Sequence, residues 1–114
     1  MKQFLLATTL LVGLAGAARP AEAADVRMFV RHEVANYAAW RKVYDGFDAD
    51  RKAMGVTGAA VYQAVGNPND VTVTHDFKTP EAAKTFASSD KLKNAMKNAG
   101  VKGPPQIWFT TEAK

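Results

Sequence analysis

The stretch MFVRHEVANYAAWRKVYDGF, residues 28–47, joins a strand pattern to a helix pattern. Apolar residues alternate with polar or larger ones from Val26 to Val34, which predicts a strand whose apolar face is interrupted only by His32. Aromatic residues then recur at helical spacing, with Asn36 as the N-cap and Gly55 as the residue that follows the helix. The stretch therefore predicts a strand followed by one long amphipathic helix.

The rest of the chain predicts two strands, a second helical region and a last strand. Thr79 is the predicted N-cap of that helical region, and Ser88 or Ser89 caps it again before Gly100 ends it. The predicted strands are Gly58–Val65, Asp70–Phe77 and Gln106–Glu112. The order is βαββαβ, which predicts a ferredoxin-like α+β fold: a four-stranded antiparallel sheet in the order 4-1-3-2, with the helices on one face.

The opposite face of the predicted sheet carries Phe29, Tyr62 and Trp108 among threonines and arginines. Such a face is too aromatic to remain in water, so we expect a homodimer in which a second subunit covers it. Arg31 and Asp76 lie on the same face. The sequence leaves open whether they form an ion pair between subunits or lie exposed at its rim.

The first 23 residues have the pattern of a secretory signal peptide. Lys2 precedes an apolar run from Phe4 to Leu14, and Ala21-Glu22-Ala23 matches a cleavage site. The run is shorter than the roughly 20 residues that span a bilayer. We therefore expect cleavage near Ala24, an exported and periplasmic protein without a stable membrane anchor, and a single domain over residues 24–114.

Composition excludes several classes of function. The chain has no cysteine, which rules out thiol catalysis and thiolate metal ligands. The 13 basic and 10 acidic residues beyond residue 23 give a charge of only +3, too small to predict a nucleic-acid partner. No phosphate-binding loop, catalytic triad or dinucleotide motif is present in the sequence. We expect no cofactor and no metal.

Three segments of the sequence, VRHEVANYAAWRKVYD, SSDKLKNAMKNAGV and GPPQIWF, resemble small cyclase-like members of the dimeric α+β barrel superfamily, which are related to the antibiotic biosynthesis monooxygenases. The resemblance implies a barrel formed by two sheets and a ligand cavity between helices and sheet in each subunit. It implies that the cavity is lined by His32 together with Val30, Trp40, Tyr44, His75, Phe77, Met96 and Phe109.

His32 is the candidate catalytic residue, because an imidazole on an apolar face can act as a general base or ligand donor. The alternative is a core histidine whose nitrogens are satisfied by the backbone or by Tyr44. His75 presents the same choice. We expect the two histidines toward opposite ends of the sheet, roughly 10 Å or more apart, which disfavours a shared metal. Trp40, Tyr44 and Phe47 are interpreted first as core packing.

Three functions remain open at this point. The first is binding of a small apolar or aromatic ligand between helices and sheet. The second is a cofactor-independent monooxygenase or cyclase-type enzyme with His32 as base, which requires a pocket large enough for an aromatic ring beside that histidine. The third is a haem-handling or stress-related structural protein. The sequence does not decide whether the protein is an enzyme.

Overall fold

The computed structural model describes residues 25–114, so the predicted signal peptide lies outside the described residues. The elements are β1 (Val26–Val34), α1 (Tyr37–Gly46), α2 (Asp48–Ala53), β2 (Gly58–Ala64), β3 (Asn67–Phe77), α3 (Pro80–Ala87), α4 (Asp90–Asn98) and β4 (Val101–Thr110). In the part of the chain that the structure describes, no helix is both long and apolar enough to cross a membrane.

The four strands form one antiparallel sheet in the order β2-β3-β1-β4. This is the ferredoxin-like order 4-1-3-2, and the predicted fold class is confirmed. The central pair, β1 and β3, is in register from Val26 opposite Phe77 to Glu33 opposite Asp70. Residues that face each other across this pair share a face of the sheet, so the register decides which side chains the helices cover.

Each predicted helical region is divided into two helices. The predicted first helix is interrupted at Phe47, whose backbone departs from helical geometry (φ −91°, ψ 3°). Gly46 and the aspartates around it are weak helix formers, which accounts for a break at this point. α2 begins after Phe47 and packs Arg51 inward, where that side chain is only 6% exposed. The second region is divided at Ser88 and Ser89, as the sequence predicts.

The predicted caps are present. The side chains of Asn36, Thr79 and Ser89 accept hydrogen bonds from the backbone N–H groups of Ala39, Ala82 and Leu92 at 2.9, 3.1 and 3.2 Å. Each cap satisfies one of the N–H groups that a helix start leaves without an internal partner. These contacts set where α1, α3 and α4 begin above the sheet.

The last strand starts five residues earlier than predicted, at Val101 rather than Gln106. Pro104 and Pro105 therefore lie inside β4. Proline is tolerated there because β4 is an edge strand, where one side of the backbone needs no ladder partner. The pairing of β1 with β4 also shifts register between Arg31 and Glu33, which accommodates the irregular stretch. The hairpin turn is likewise shorter than predicted, since β2 ends at Ala64 and β3 begins at Asn67.

The core on the helix side consists of two clusters. One contains Met28, Phe77 and Phe86, which are fully buried between α3 and the sheet. The other contains Val34, Trp40 and Val71 under α1. The region where the two clusters meet is where the candidate site lies.

Candidate functional site

A cavity of about 40 Å³ lies between the sheet and helices α1, α2 and α4. Val30 and Val73, which are directly paired across β1 and β3, belong to its lining. Its described lining residues are Val30, His32, Trp40, Val43, Tyr44, Phe47, Arg51, Val73, His75, Leu92, Ala95, Met96 and Ala99. The cavity has the location that the family resemblance implies, and its lining is mostly apolar.

Both histidines line this cavity and both are buried, His32 at 6% and His75 at 4% exposure. His32 is paired with Val71 and His75 with Met28. The two are thus four positions apart along the ladder, roughly 13 Å at about 3.3 Å per residue. This separation agrees with the expectation from the sequence. Among the described residues no group of three or more metal-ligating side chains is found.

Three of the four imidazole nitrogens are buried without a hydrogen-bond partner among the described residues. Neither Nδ1 nor Nε2 of His32, nor Nδ1 of His75, has a hydrogen-bond partner among the described residues. The alternative of a core histidine satisfied by the backbone or by Tyr44 is therefore wrong for His32. Buried polar atoms without partners are rare in proteins and cost about 1–3 kcal/mol each. They mark these two side chains as ones that a ligand can complete.

Burial also determines the protonation of both histidines. Desolvation lowers the pKa of His32 to about 4. Desolvation lowers the pKa of His75 to about 4 as well, with a further contribution from the charge of Arg51. Both rings are therefore neutral at pH 7, and each offers one N–H donor and one nitrogen acceptor.

A row of aromatic rings connects the two histidines. The ring of Trp40 packs against His32 at 5.8 Å with an interplanar angle of 69°, and it stacks on Tyr44 at 4.9 Å. Tyr44 in turn lies 6.5 Å from His75. The helical spacing of Trp40 and Tyr44 places both rings on the same side of α1. These two aromatics form one wall of the cavity while also belonging to the core packing.

Arg51 is a lining residue that the sequence interpretation missed. Its guanidinium lies 3.8 Å from the Tyr44 ring centroid and donates hydrogen bonds to the Tyr44 carbonyl and to Asp48. The spacing Trp40, Tyr44, Phe47, Arg51 continues the helical stripe at intervals of four, three and four. That spacing was a signal that could have identified Arg51, since a long cationic side chain on an apolar stripe needs a buried partner.

Two of the predicted lining residues, Phe77 and Phe109, do not line the cavity. Phe77 is paired with Val26, two positions beyond His75, and packs against Phe86 at a ring distance of 5.4 Å. Phe109 is paired with Met28 and so lies on the helix side of the sheet, as predicted. However, it belongs to the edge strand β4 and is 39% exposed. The predicted lining residues that do contact the cavity are Val30, His32, Trp40, Tyr44, His75 and Met96.

A surface groove leads toward the cavity between α1, α2 and α4. It shares Val43, Phe47 and Ala95 with the cavity lining. At the groove, Lys91 Nζ forms an ion pair with Asp50 Oδ1 at 3.2 Å, linking α4 to α2. Both side chains are largely exposed, so this pair contributes little to stability and is easily broken. The groove and the cavity are therefore adjacent.

The outer face of the sheet has a different character. Phe29 and Trp108 stack with a centroid distance of 5.1 Å and an interplanar angle of 1°. Arg27 pairs with Asp76 and Arg31 with Asp70, each with a shortest distance of 2.7 Å. Arg31 and Asp76 are thus engaged with other partners within the chain.

Comparisons with known proteins identify the fold. No protein-family model matches the chain, and no curated protein matches it either. Among solved structures, a Bordetella bronchiseptica protein assigned to the antibiotic biosynthesis monooxygenases matches with a TM-score of 0.70 and 15% identity, covering 80% of this chain and 99% of that one.

Two further solved structures share this fold. SnoaB, a cofactor-independent oxygenase from Streptomyces nogalater, matches with a TM-score of 0.67 and 12% identity over 81% of this chain and 96% of that one. The NE2512 protein of unknown function from Nitrosomonas europaea matches with a TM-score of 0.64 and 20% identity over 82% and 95%. The chain therefore has the antibiotic biosynthesis monooxygenase-like fold, and identities this low extend to the fold alone.

Proposed function

We propose that this protein binds a small apolar or aromatic molecule in the cavity between the helices and the sheet. The observation that carries the proposal is a mainly apolar cavity lined by two buried histidines, three of whose four ring nitrogens have no hydrogen-bond partner among the described residues. Binding sites for small molecules combine an apolar lining with a few polar groups in the same way.

The volume of the cavity sets the conditions for binding. About 40 Å³ is far below the roughly 300 Å³ at which sites for drug-sized ligands begin. A ligand with only a few heavy atoms is accommodated with small adjustments, whereas an aromatic ring requires α4 to move away from α1. The groove lined by Val43, Phe47 and Ala95 is where such an opening would occur.

The enzymatic alternative, a cofactor-independent monooxygenase or cyclase with His32 as base, has less support. It needs an aromatic ring beside His32, which the cavity of about 40 Å³ admits only with the same opening between α4 and α1 that an aromatic ligand needs for binding. A general base also works best when its pKa lies near the operating pH, and the pKa of His32 is about 4. The haem-handling alternative requires a still larger opening. Binding without chemistry is therefore the preferred proposal.

We also propose that the protein is a homodimer formed through the outer face of the sheet. Tyr62 and Trp108 are 55% and 42% exposed there, and Trp108 already stacks on Phe29. Exposed aromatic residues on a sheet face favour association, because aromatic side chains contribute most strongly to interfaces. The cross-strand pairs of Arg27 and Arg31 would then surround the aromatic centre.

Export to the periplasm remains a proposal that rests on the pattern of residues 1–23. N-terminal sequencing of the protein purified from its own host tests it. A mature chain that begins at or near Ala24 in the periplasmic fraction supports export, and an intact Met1 in the cytoplasmic fraction contradicts it.

Trp40 provides a direct test of ligand binding, since it lines the cavity while the second tryptophan, Trp108, lies on the outer face. In a Trp108→Phe variant, titration with toluene is expected to change the emission of Trp40 along a saturable curve. An Ala95→Leu variant, which fills the groove, is expected to weaken that response. Ala39→Leu on the exposed side of α1 is the matched control. A purely structural protein would give no saturable response.

A further inference from the structure

The described lining of the cavity carries one charge at pH 7, that of Arg51. Arg51 and the two histidines are its basic lining residues, and no aspartate or glutamate belongs to the described lining. A cationic ligand would find no counter-charge in this lining. A neutral hydrocarbon would fill the space but leave the nitrogens of His32 and His75 without partners, at a cost of about 1–3 kcal/mol each.

The charge of Arg51 is not fully balanced by its own partner. Asp48 accepts from Arg51 at 3.2 Å, but its other carboxylate oxygen lies 3.2 Å from the Lys52 ammonium. One carboxylate thus serves two cations, which leaves one positive charge in the cluster. Asp48 and Lys52 are exposed, whereas Arg51 is buried at the cavity. Water therefore screens the excess positive charge on the surface side of the cluster but not on the cavity side.

The field of Arg51 reaches into the cavity. It contributes, after burial, to the lowering of the pKa of His75. Asp76, which lies on the outer face of the sheet, raises the pKa of His75. The groups that surround the His75 ring on the helix side are Tyr44, Arg51 and Phe86, none of them acidic. A negative charge placed in the cavity would therefore be attracted by Arg51 and opposed by no lining carboxylate.

We propose that the ligand of this cavity is a small monocarboxylate with a short apolar body. This deepens the proposed function and rests on it. The carboxylate would accept hydrogen bonds from Arg51 and from a neutral imidazole N–H, and the apolar body would contact Val30, Val73 and Trp40. Hydrogen bonds to a charged acceptor are about twice as strong as neutral ones, which offsets the cost of taking the carboxylate out of water.

Matched pairs of acid and amide test this proposal, because each pair differs in charge but hardly in shape. Propionate is compared with propionamide and benzoate with benzamide, by calorimetry and by the imidazole NMR signals of the two histidines. We expect each acid to bind about tenfold or more tightly than its amide, which corresponds to about 1.4 kcal/mol. Propionate is expected to disturb the structure less than benzoate, since it is smaller.

The pH dependence gives an independent readout. A carboxylate beside an imidazole raises the pKa of that imidazole above the value of about 4 that it has in the protein alone, so binding takes up protons and strengthens as the pH falls through the raised pKa toward 4. The comparison is made above about pH 5.5, where the carboxyl group of the ligand is still ionised. The affinity of the amide is expected to change much less.

Arg51→Gln is expected to abolish the preference for the acid, while Arg41→Gln, which removes an exposed arginine paired with Asp45, is expected to retain it. If acid and amide bind equally at the histidines of the wild-type protein, the monocarboxylate proposal is wrong while ligand binding stands. If the acid binds without shifting either histidine signal, surface lysines hold it and the proposal is also wrong. If none of the four probes nor toluene binds, the proposed function itself fails.

Discussion

His32 and His75 lie on the same face of the sheet, four positions apart along the β1–β3 ladder, and line one cavity from two sides. Between them lie the directly paired Val30 and Val73. Two polar side chains at opposite ends of an apolar surface would fix the orientation of a bound ligand. This arrangement, rather than any one residue, is the basis of the proposed binding site.

The buried histidines predict that the protein loses stability in mild acid. Their pKa is about 4 in the folded chain and about 6.5 in the unfolded chain, so the unfolded state binds more protons between these values. The contribution is fully present above pH 6.5 and is lost as the pH falls toward 4. The expected loss is about 3 kcal/mol for each histidine, measured by urea unfolding between pH 7.5 and pH 4.5.

The variants His32→Phe and His75→Phe serve as tests of this pH dependence. Each is expected to remove about half of it, because burial lowers the pKa of both histidines to about 4. A wild-type protein whose free energy of unfolding is constant between pH 7 and pH 5 would show that the histidines are not buried as described.

Truncation of the two tryptophans is expected to destabilise the fold to different extents. Trp40 is 3% exposed and contacts His32, Tyr37 and Tyr44, so Trp40→Ala is expected to destabilise the fold by about 3–5 kcal/mol. Trp108 is 42% exposed, and its ring stacks on Phe29 while remaining partly accessible to water. In a monomer, Trp108→Ala is therefore expected to lower the free energy of unfolding by about 1 kcal/mol. Thermal unfolding of the two variants side by side makes the comparison.

Association through the outer face predicts a charge-sensitive dimer. Trp108→Glu places a carboxylate at the centre of the proposed interface and is expected to shift the protein to a monomer in sedimentation equilibrium. Val65→Glu changes an equally apolar residue in the hairpin turn, where it is fully exposed, and is expected to leave the dimer intact. A monomeric wild-type protein at micromolar concentration would contradict the proposal.

Removal of the N-cap of α1 is expected to destabilise the fold less than truncation of Trp40. Asn36 Oδ1 accepts from the Ala39 N–H at 2.9 Å, and Asn36→Ala is expected to destabilise the fold by about 1 kcal/mol. Asn94→Ala, inside α4 on an exposed surface, is the control and is expected to change stability by less than about 0.5 kcal/mol. Equal losses in both variants would argue against a specific cap at Asn36.

Local patterns were sufficient to predict the fold. The alternation in Val26–Val34, the caps at Asn36 and Thr79 and the turn around Gly66 each act over a few residues, and together they permit few topologies. The early start of β4 was missed because the strand was placed after Pro104 and Pro105. Their acceptability depends on β4 lying at the sheet edge, which is a property of the whole sheet.

Local patterns also predicted part of the lining of the candidate site. Parity along β1 and β3 placed His32 and His75 on the helix side, and helical spacing added Trp40 and Tyr44. Arg51 was missed because only apolar residues were counted on the helical stripe that it continues. The volume of the cavity depends on the fit of side chains from five elements, and no local pattern contains that information.

The most direct test of the account is the NMR titration of the imidazole groups with toluene, since the chain has only two histidines. Binding in the cavity predicts that the signals of His32 and His75 shift together along one saturable curve, and that Ala95→Leu weakens both responses. Saturable binding that leaves both imidazole signals unchanged, or the absence of saturable binding, would contradict the claim that this cavity is the functional site.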